Sequence, residues 1–244
     1  MPDKEMDESM QQGNLTLKID AIKTTSEVIA QSIKEMIFQA EFKPGQQLVQ
    51  ENLARMFGVS RVPVRDALQV LITMGLAVNV PRHGVIVRPL SRKLLDELFE
   101  VRKVLEGAAI KMAVQKVTPD LLKTLEKLIR EQSQARKIID VKQNEKIDDA
   151  FHRTLYNAIG NDTLIDLIFA NWDRIKQARS ASTVELEHGT LWIEKSIQRH
   201  IRLVDALGKK RTSIAYNTTI ENIENSQQEI TSCLEELGWI EEAS

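Results

Sequence analysis

The sequence predicts a mainly α-helical protein in two parts: an N-terminal winged helix-turn-helix, then an all-α antiparallel helical bundle. Three observations carry this. Apolar residues recur at helical spacing along most of the chain, interrupted by only six prolines and ten glycines. One stretch, residues 76–88, departs from that period: two short β-branched runs flank a Pro-Arg-His-Gly turn. Beyond residue 92 the breaks are short and evenly placed, which divides the rest of the chain into about six helices.

Composition narrows the class. At a scale of roughly 150 residues per domain, 244 residues make one large domain or two small ones. Hydrophobic residues are 42% and charged ones 28%, enough apolar material for a sizeable core. No apolar run approaches the roughly 20 residues of a membrane helix. The first nineteen residues have no apolar h-region, so no cleaved export signal is expected. Cys233, the one cysteine, makes no internal disulfide and no Cys-rich zinc site. A secreted disulfide scaffold, a membrane protein and a disordered chain are thereby excluded, and the expected setting is cytoplasmic. The net charge of -2 is unevenly spread. Residues 20–93 carry ten Lys/Arg against six Asp/Glu, and residues 94–244 carry twenty-one against twenty-five. A mildly basic front on an acidic body is the balance of a nucleic-acid-reading module joined to another domain.

The elements follow in order. Residues 1–20 are polar and acidic and read as a flexible tail. Val28, Ile29, Ile33, Met36, Ile37 and Ala40 set a helix from about Thr24 to Phe42, stopped by Lys43-Pro44-Gly45. A short helix runs from about Val49 to Phe57 and ends at Gly58. Ser60, a good N-cap residue, opens the next, which reaches about Met74. The hairpin of residues 76–88 follows, and Pro89 closes a unit spanning residues 21–90. Ser91 caps the first helix of the remainder, residues 91–240. Further breaks fall near Pro119, Asp140, Gly160, residues 182–189 and Gly208, and the last helix ends before Gly238.

Residues 50–69 fit a helix-turn-helix. Ala54 is the small residue needed where two helices touch, and Gly58 suits the tight turn. Val59, Val64, Ala67, Leu68 and Leu71 then form the buried stripe that pins the second helix. Subtracting that stripe leaves Arg61, Val62, Arg65 and Gln69 on the outer face, with both arginines near the helix start. Recognition helices lead with their N-terminal residues into the major groove, and arginine is the best bidentate partner for guanine. The hairpin would serve as a wing with Arg82, His83 and Gly84 at its tip. The plainer reading is a helical hairpin with two solvated arginines, and the ordered set of four features stands against it.

Residues 42–48 (FKPGQQL), Val59-Ser60-Arg61-Val62-Pro63-Val64-Arg65-Asp66-Ala67-Leu68 and Arg82-His83-Gly84-Val85-Ile86-Val87 resemble the winged helix of the GntR family of bacterial transcription regulators. The resemblance implies base contacts from Arg61 and Arg65, phosphate or base contacts from Ser60, Val62 and Pro63, and minor-groove contact from His83-Gly84. Glu51 departs from the pattern, standing where some relatives place an arginine that touches DNA.

In the second part, Asp148, His152, Leu155 and Ile159 form one line on a helix, and His200 lies on the apolar line of Ile193, Ile197, Val204 and Leu207. Buried polar groups need partners. Two readings stand: a core histidine paired with Asp148 while His200 packs separately, or a divalent-metal site between bundle helices. His188, in a Glu-rich loop, reads as solvated. Residues 98–106 (LFEVRKVLE), 148–155 (DDAFHRTL) with Gly160-Asn161, and Arg199-His200 resemble the FCD effector domain of the FadR branch of the same family. Many such domains hold a divalent ion through one Asp and three His. The resemblance places Asp148, His152 and His200 on three of these positions, and Asn222 where the third histidine is expected. Arg102 lies four residues before Glu106, so it reads either as an i, i+4 ion pair or as a grip on an effector carboxylate. Arg174 and Arg179 are further candidates for that grip.

The function these features imply is a ligand-responsive DNA-binding transcription regulator, a homodimer on a pseudo-palindromic operator and a repressor. Its effector is expected to be a small organic acid, held by way of zinc, nickel or manganese. The alternatives are a metal-sensing regulator and a metal-dependent enzyme built on Asp148, His152 and His200. No membrane partner is expected.

Overall fold

The computed structural model describes residues 24–138, 140–183 and 189–240. The polar tail and His188 lie outside the described residues. Helix α1 (Thr25–Phe38) opens with a capping box, in which Thr24 and Glu27 satisfy each other's backbone N–H groups. Ile29, Ala30, Ile33 and Ile37 form its buried stripe, against α3. The helix stops four residues short of Phe42. Ala40 takes a left-handed φ of +57°, and the Glu41 and Ala40 N–H groups bond back to Met36 and Ile37. This is a Schellman stop with alanine where glycine is usual, so no residue in the sequence announces it.

Helix α2 (Gln50–Phe57) ends at left-handed Gly58, and α3 (Arg61–Thr73) follows at once. Ser60 stands at the N-cap of α3, but its hydroxyl accepts no capping bond, contrary to the sequence expectation. The strands β1 (Ala77–Val80) and β2 (Gly84–Val87) pair antiparallel, with Val80 opposite Gly84. The turn needs left-handed backbone at Arg82 (φ +66°) as well as at Gly84. Gln47 adds a bridge to Ile86 that the sequence does not display. The Gln47 amide also donates to the His83 carbonyl at 2.5 Å, fixing the wing tip.

The second part holds α4 (Arg92–Lys116), α5 (Pro119–Lys137), α6 (Val141–Asn157), α7 (Asp162–Thr183), α8 (Gly189–Gly208) and α9 (Thr212–Glu236). Ser91, Thr118 and Asp140 cap α4, α5 and α6 with side-chain bonds. Helix α4 packs on α9 and α7, while α5 packs on α6 and α8. Ile110, Leu125, Phe151, Leu155, Ile159, Leu207 and Ala215 are fully buried in one apolar layer; Leu95, Phe99, Ala178, Ile223 and Leu234 are buried in another, which includes Leu90. Residues 29–87 keep a core of their own, built from α1, α2, α3 and the hairpin.

Candidate nucleic-acid interface and effector site

Burial of Val64, Ala67, Leu68 and Leu71 turns the opposite face of α3 to solvent. Ser60, Arg61, Val62, Arg65 and Gln69 are exposed there, and Pro63 is half-buried. Arg61 pairs with Glu51 of α2 at 3.0 Å, and Arg65 with Asp66 at 3.4 Å. Both pairs are solvent-exposed, so each is worth about 1 kcal/mol or less and is readily exchanged for another acceptor. At the wing tip Arg82, His83 and Gly84 are exposed.

Asp148 and His152, one turn apart on α6, meet His200 of α8 in the interior, and their candidate ligand atoms lie within 4.8 Å of one another. His200 Nε2 stands 3.2 Å from His152 Nε2 and 3.6 Å from Asp148 Oδ1. Donors held about 2.0–2.2 Å from a zinc-like ion stand roughly 3.0–3.6 Å from each other, and both separations from His200 fall in that range. Asp148 Oδ1 also accepts from Ser196 at 2.7 Å and from the Gln132 amide at 3.5 Å, and Arg179 lies 3.7 Å from Oδ2. Phe151 stacks on the His200 ring at 3.8 Å, and Trp172 meets His152 edge-on at 5.3 Å.

Burial works to raise the Asp148 carboxyl, but His152, His200, Arg179 and the Ser196 hydroxyl outweigh it and hold Asp148 well below the usual carboxylate range. Burial also pushes His200 down to about 3, against the pull of Asp148, and lowers His152. At neutral pH the cluster is therefore one carboxylate and two neutral imidazoles, the protonation state that metal ligands require. Among the described residues, the buried His152 Nδ1 has no hydrogen-bond partner.

Beside it lies a second polar group. Glu106 of α4 is 1% exposed, and its Oε1 accepts from Arg102 Nε at 2.5 Å and Trp172 Nε1 at 2.6 Å. The Tyr156 hydroxyl donates to Oε2 at 2.7 Å. Burial would raise the Glu106 carboxyl, yet the Arg102 guanidinium overrides it and holds the group low. The i, i+4 pair read from sequence thus exists, deeply buried and tied to two aromatic donors. Arg102 also lines a cavity of about 60 Å³, whose walls include Glu145, Asp149, Arg153, Trp172, Asp173, Lys176, Arg179 and Ser226. Asn222 is half-buried on α9, one turn before Ser226.

Helix α7 has two working faces. Trp172, Lys176 and Arg179, at i, i+4 and i+7, turn to the cavity. Arg174 turns elsewhere and is not among the residues that line this cavity. Its guanidinium packs on Gly75, where a Cβ would lie 3.2 Å from Arg174 Nε, and burial together with the nearby Arg88 lowers its pKa. Gln177 donates to the Arg88 carbonyl at 2.8 Å, and Asp173 forms an ion pair with Lys34 of α1. Lys176 reaches the Phe38 ring at 5.4 Å. Sequence reasoning missed Gln132, Ser196, Tyr156 and Trp172. For Gln132 the signal was present, a polar residue on the buried line Leu125, Ile129, Ala135 of α5.

Comparisons with known proteins agree with this layout. Residues 25–87 match the model for bacterial regulatory proteins of the gntR family, and residues 97–225 match the FCD domain. The chain is 27% identical over 205 residues to the uncharacterized HTH-type transcriptional regulator YdhC of Bacillus subtilis, covering 84% of this chain and 90% of that one. It is 30% identical over 211 residues to the HTH-type transcriptional repressor NanR of Cronobacter sakazakii, covering 78% and 79%. The solved structure of E. coli McbR/YncC shares the fold, with a TM-score of 0.74 at 24% identity over 88% of this chain and 100% of that one. A winged helix-turn-helix joined to an effector-binding helical domain defines a DNA-binding transcription regulator. The chain belongs to the GntR family, with an FCD domain as its second half.

Proposed function

We propose that this regulator is a homodimer on a pseudo-palindromic operator and represses until a small organic acid, bound beside a divalent ion, releases it. Two-fold symmetry presents two α3 helices to two half-sites. In each, Arg61 and Arg65 read guanine edges, with Ser60, Val62, Pro63 and Gln69 alongside, while Arg82, His83 and Gly84 enter the minor groove. Among the described residues no N-cap side chain bonds to the first turn of α3, so the Arg61 and Val62 N–H groups are open to a phosphate. The repressor sign draws on NanR and on the gluconate operon repressor of Bacillus subtilis, both named for that role.

Asp148, His152 and His200 would hold the ion, with zinc, nickel and manganese as candidates and Asn222 as a further oxygen donor. The ion supplies open positions for an acid's oxygens. Arg102 and Arg179 stand beside it to grip a carboxylate, and both line the cavity.

The observation that carries the regulatory reading is that the cavity and the winged helix share residues. Asp173 and Lys176 line the cavity, and the same two side chains reach Lys34 and Phe38 of α1. A ligand that draws on either one changes how firmly α7 holds α1. This is the differential affinity between two arrangements that an effector needs. A second reading, with the ion itself as the signal, rests on the same three donors, with Asn222 a weaker ligand than the expected histidine and so suited to reversible binding.

The test is metal analysis of protein purified without chelators, alongside His152→Ala. The wild type is expected to carry about one ion per chain. His152→Ala should lose the ion and the response to zinc with citrate, with metal-free operator affinity within about twofold of wild type. A variant that keeps the full response contradicts the assignment. Zinc alone moving operator affinity favours the metal-sensing reading.

A further inference from the structure

We infer that Gln132 is the positioning residue that makes His200 a ligand. The inference rests on the metal reading of the Asp148–His152–His200 cluster and extends it to a residue on a third helix.

Gln132, on α5, is 1% exposed and touches two of the three donors. Its Nε2 donates to Asp148 Oδ1 at 3.5 Å, and its Oε1 lies 3.1 Å from His200 Nδ1. The orientation of the amide follows from chemistry. The Asp148 carboxylate also takes the Ser196 hydroxyl at 2.7 Å and lies 3.7 Å from Arg179, so it is an acceptor and must receive the NH₂ end. The carbonyl end then faces His200, whose Nδ1 must carry the proton.

A neutral imidazole protonated at Nδ1 has its lone pair on Nε2, the atom 3.2 Å from His152 Nε2 and 3.6 Å from Asp148 Oδ1. The other tautomer would turn an N–H into the cluster, where it would bond to Asp148 and leave His200 no lone pair for an ion. Gln132 selects between these two states. Phe151, stacked on the ring, fixes its plane but has no preference between tautomers. Outer groups that orient ligating histidines commonly contribute 10- to 100-fold in metal affinity.

The test uses the full chain as wild type, Gln132→Leu and Gln132→Glu. Zinc affinity is read by competition with a chromophoric chelator, and the His200 tautomer by imidazole nitrogen NMR on metal-free protein, assigned against His200→Gln. Wild type should show His200 protonated at Nδ1. Gln132→Leu should lose that tautomer and bind zinc roughly 10- to 100-fold more weakly. Gln132→Glu is the rescue, because a carboxyl oxygen at the same place still accepts from Nδ1. It should hold zinc within a fewfold of wild type.

Equal zinc affinity in wild type and Gln132→Leu overturns the role of Gln132, as does a wild-type His200 protonated at Nε2. If Gln132→Leu fails to fold, the wild-type tautomer and the Gln132→Glu affinity decide the matter. Failure of the metal reading itself is a different result: wild-type protein that takes up no zinc.

Discussion

Arg65→Ala is expected to weaken binding to a selected operator by about 1–3 kcal/mol, roughly 5- to 150-fold, with the fold intact. The size follows from what a bidentate arginine–guanine pair contributes. The intact fold follows from the packing, because α3 is anchored by Val64, Ala67, Leu68 and Leu71 on its other face, all at most 1% exposed. Arg65 gives up only an exposed contact with Asp66 when it turns to a base. Anisotropy titrations on the operator and on scrambled duplex separate the outcomes. Loss confined to the operator marks base reading, whereas equal loss on both marks a phosphate contact. Unchanged operator affinity would mean that α3 does not enter the groove by this face.

Glu106→Ala is expected to be the most destabilising single change in the helical domain, at about 3–5 kcal/mol. Removing the carboxylate leaves Arg102 as a buried charge without its partner, and it orphans the Tyr156 hydroxyl and the Trp172 indole N–H. At about 2–4 °C per kcal/mol for a chain of this size, the melting midpoint should fall by roughly 10 °C. Glu106→Gln keeps the shape and an oxygen for Arg102 and Trp172, while its NH₂ end can donate to the Tyr156 oxygen, so it should cost less. A midpoint within about 2 °C of wild type for Glu106→Ala would show that this network is not a structural anchor.

The helical plan was legible because burial has a period. The stripe Val64, Ala67, Leu68, Leu71 and the lines through Asp148–His152 and through His200 fixed which faces turn inward, and the structure brings those lines together. Stops set by backbone geometry without glycine were not legible, as at Ala40. Gln47 gave no sign of bridging Ile86, because one β-bridge has no periodicity. Arg174 and Arg179 are separated by a spacing that the sequence did contain. Residues 174 and 179 are five apart, so they project from different sides of α7, while 172, 176 and 179 share one. Long-range partners such as Tyr156 and Trp172 on Glu106 come from how helices pack, which no single helix records.

The most direct test of the central claim, that ligand in the FCD domain acts on the winged helix through α7, is operator affinity of metal-stripped protein against protein given zinc and citrate. It is measured in wild type and in Lys34→Ala. Lys34 lies outside both the α3 recognition face and the histidine cluster, and its ion pair with Asp173 joins α1 to α7. Wild-type operator affinity should change by about tenfold, an ordinary allosteric coupling, and Lys34→Ala should bind zinc normally yet show a change of less than about threefold. Wild-type affinity that stays constant while zinc and citrate are bound would contradict the claim, and so would a full response in Lys34→Ala.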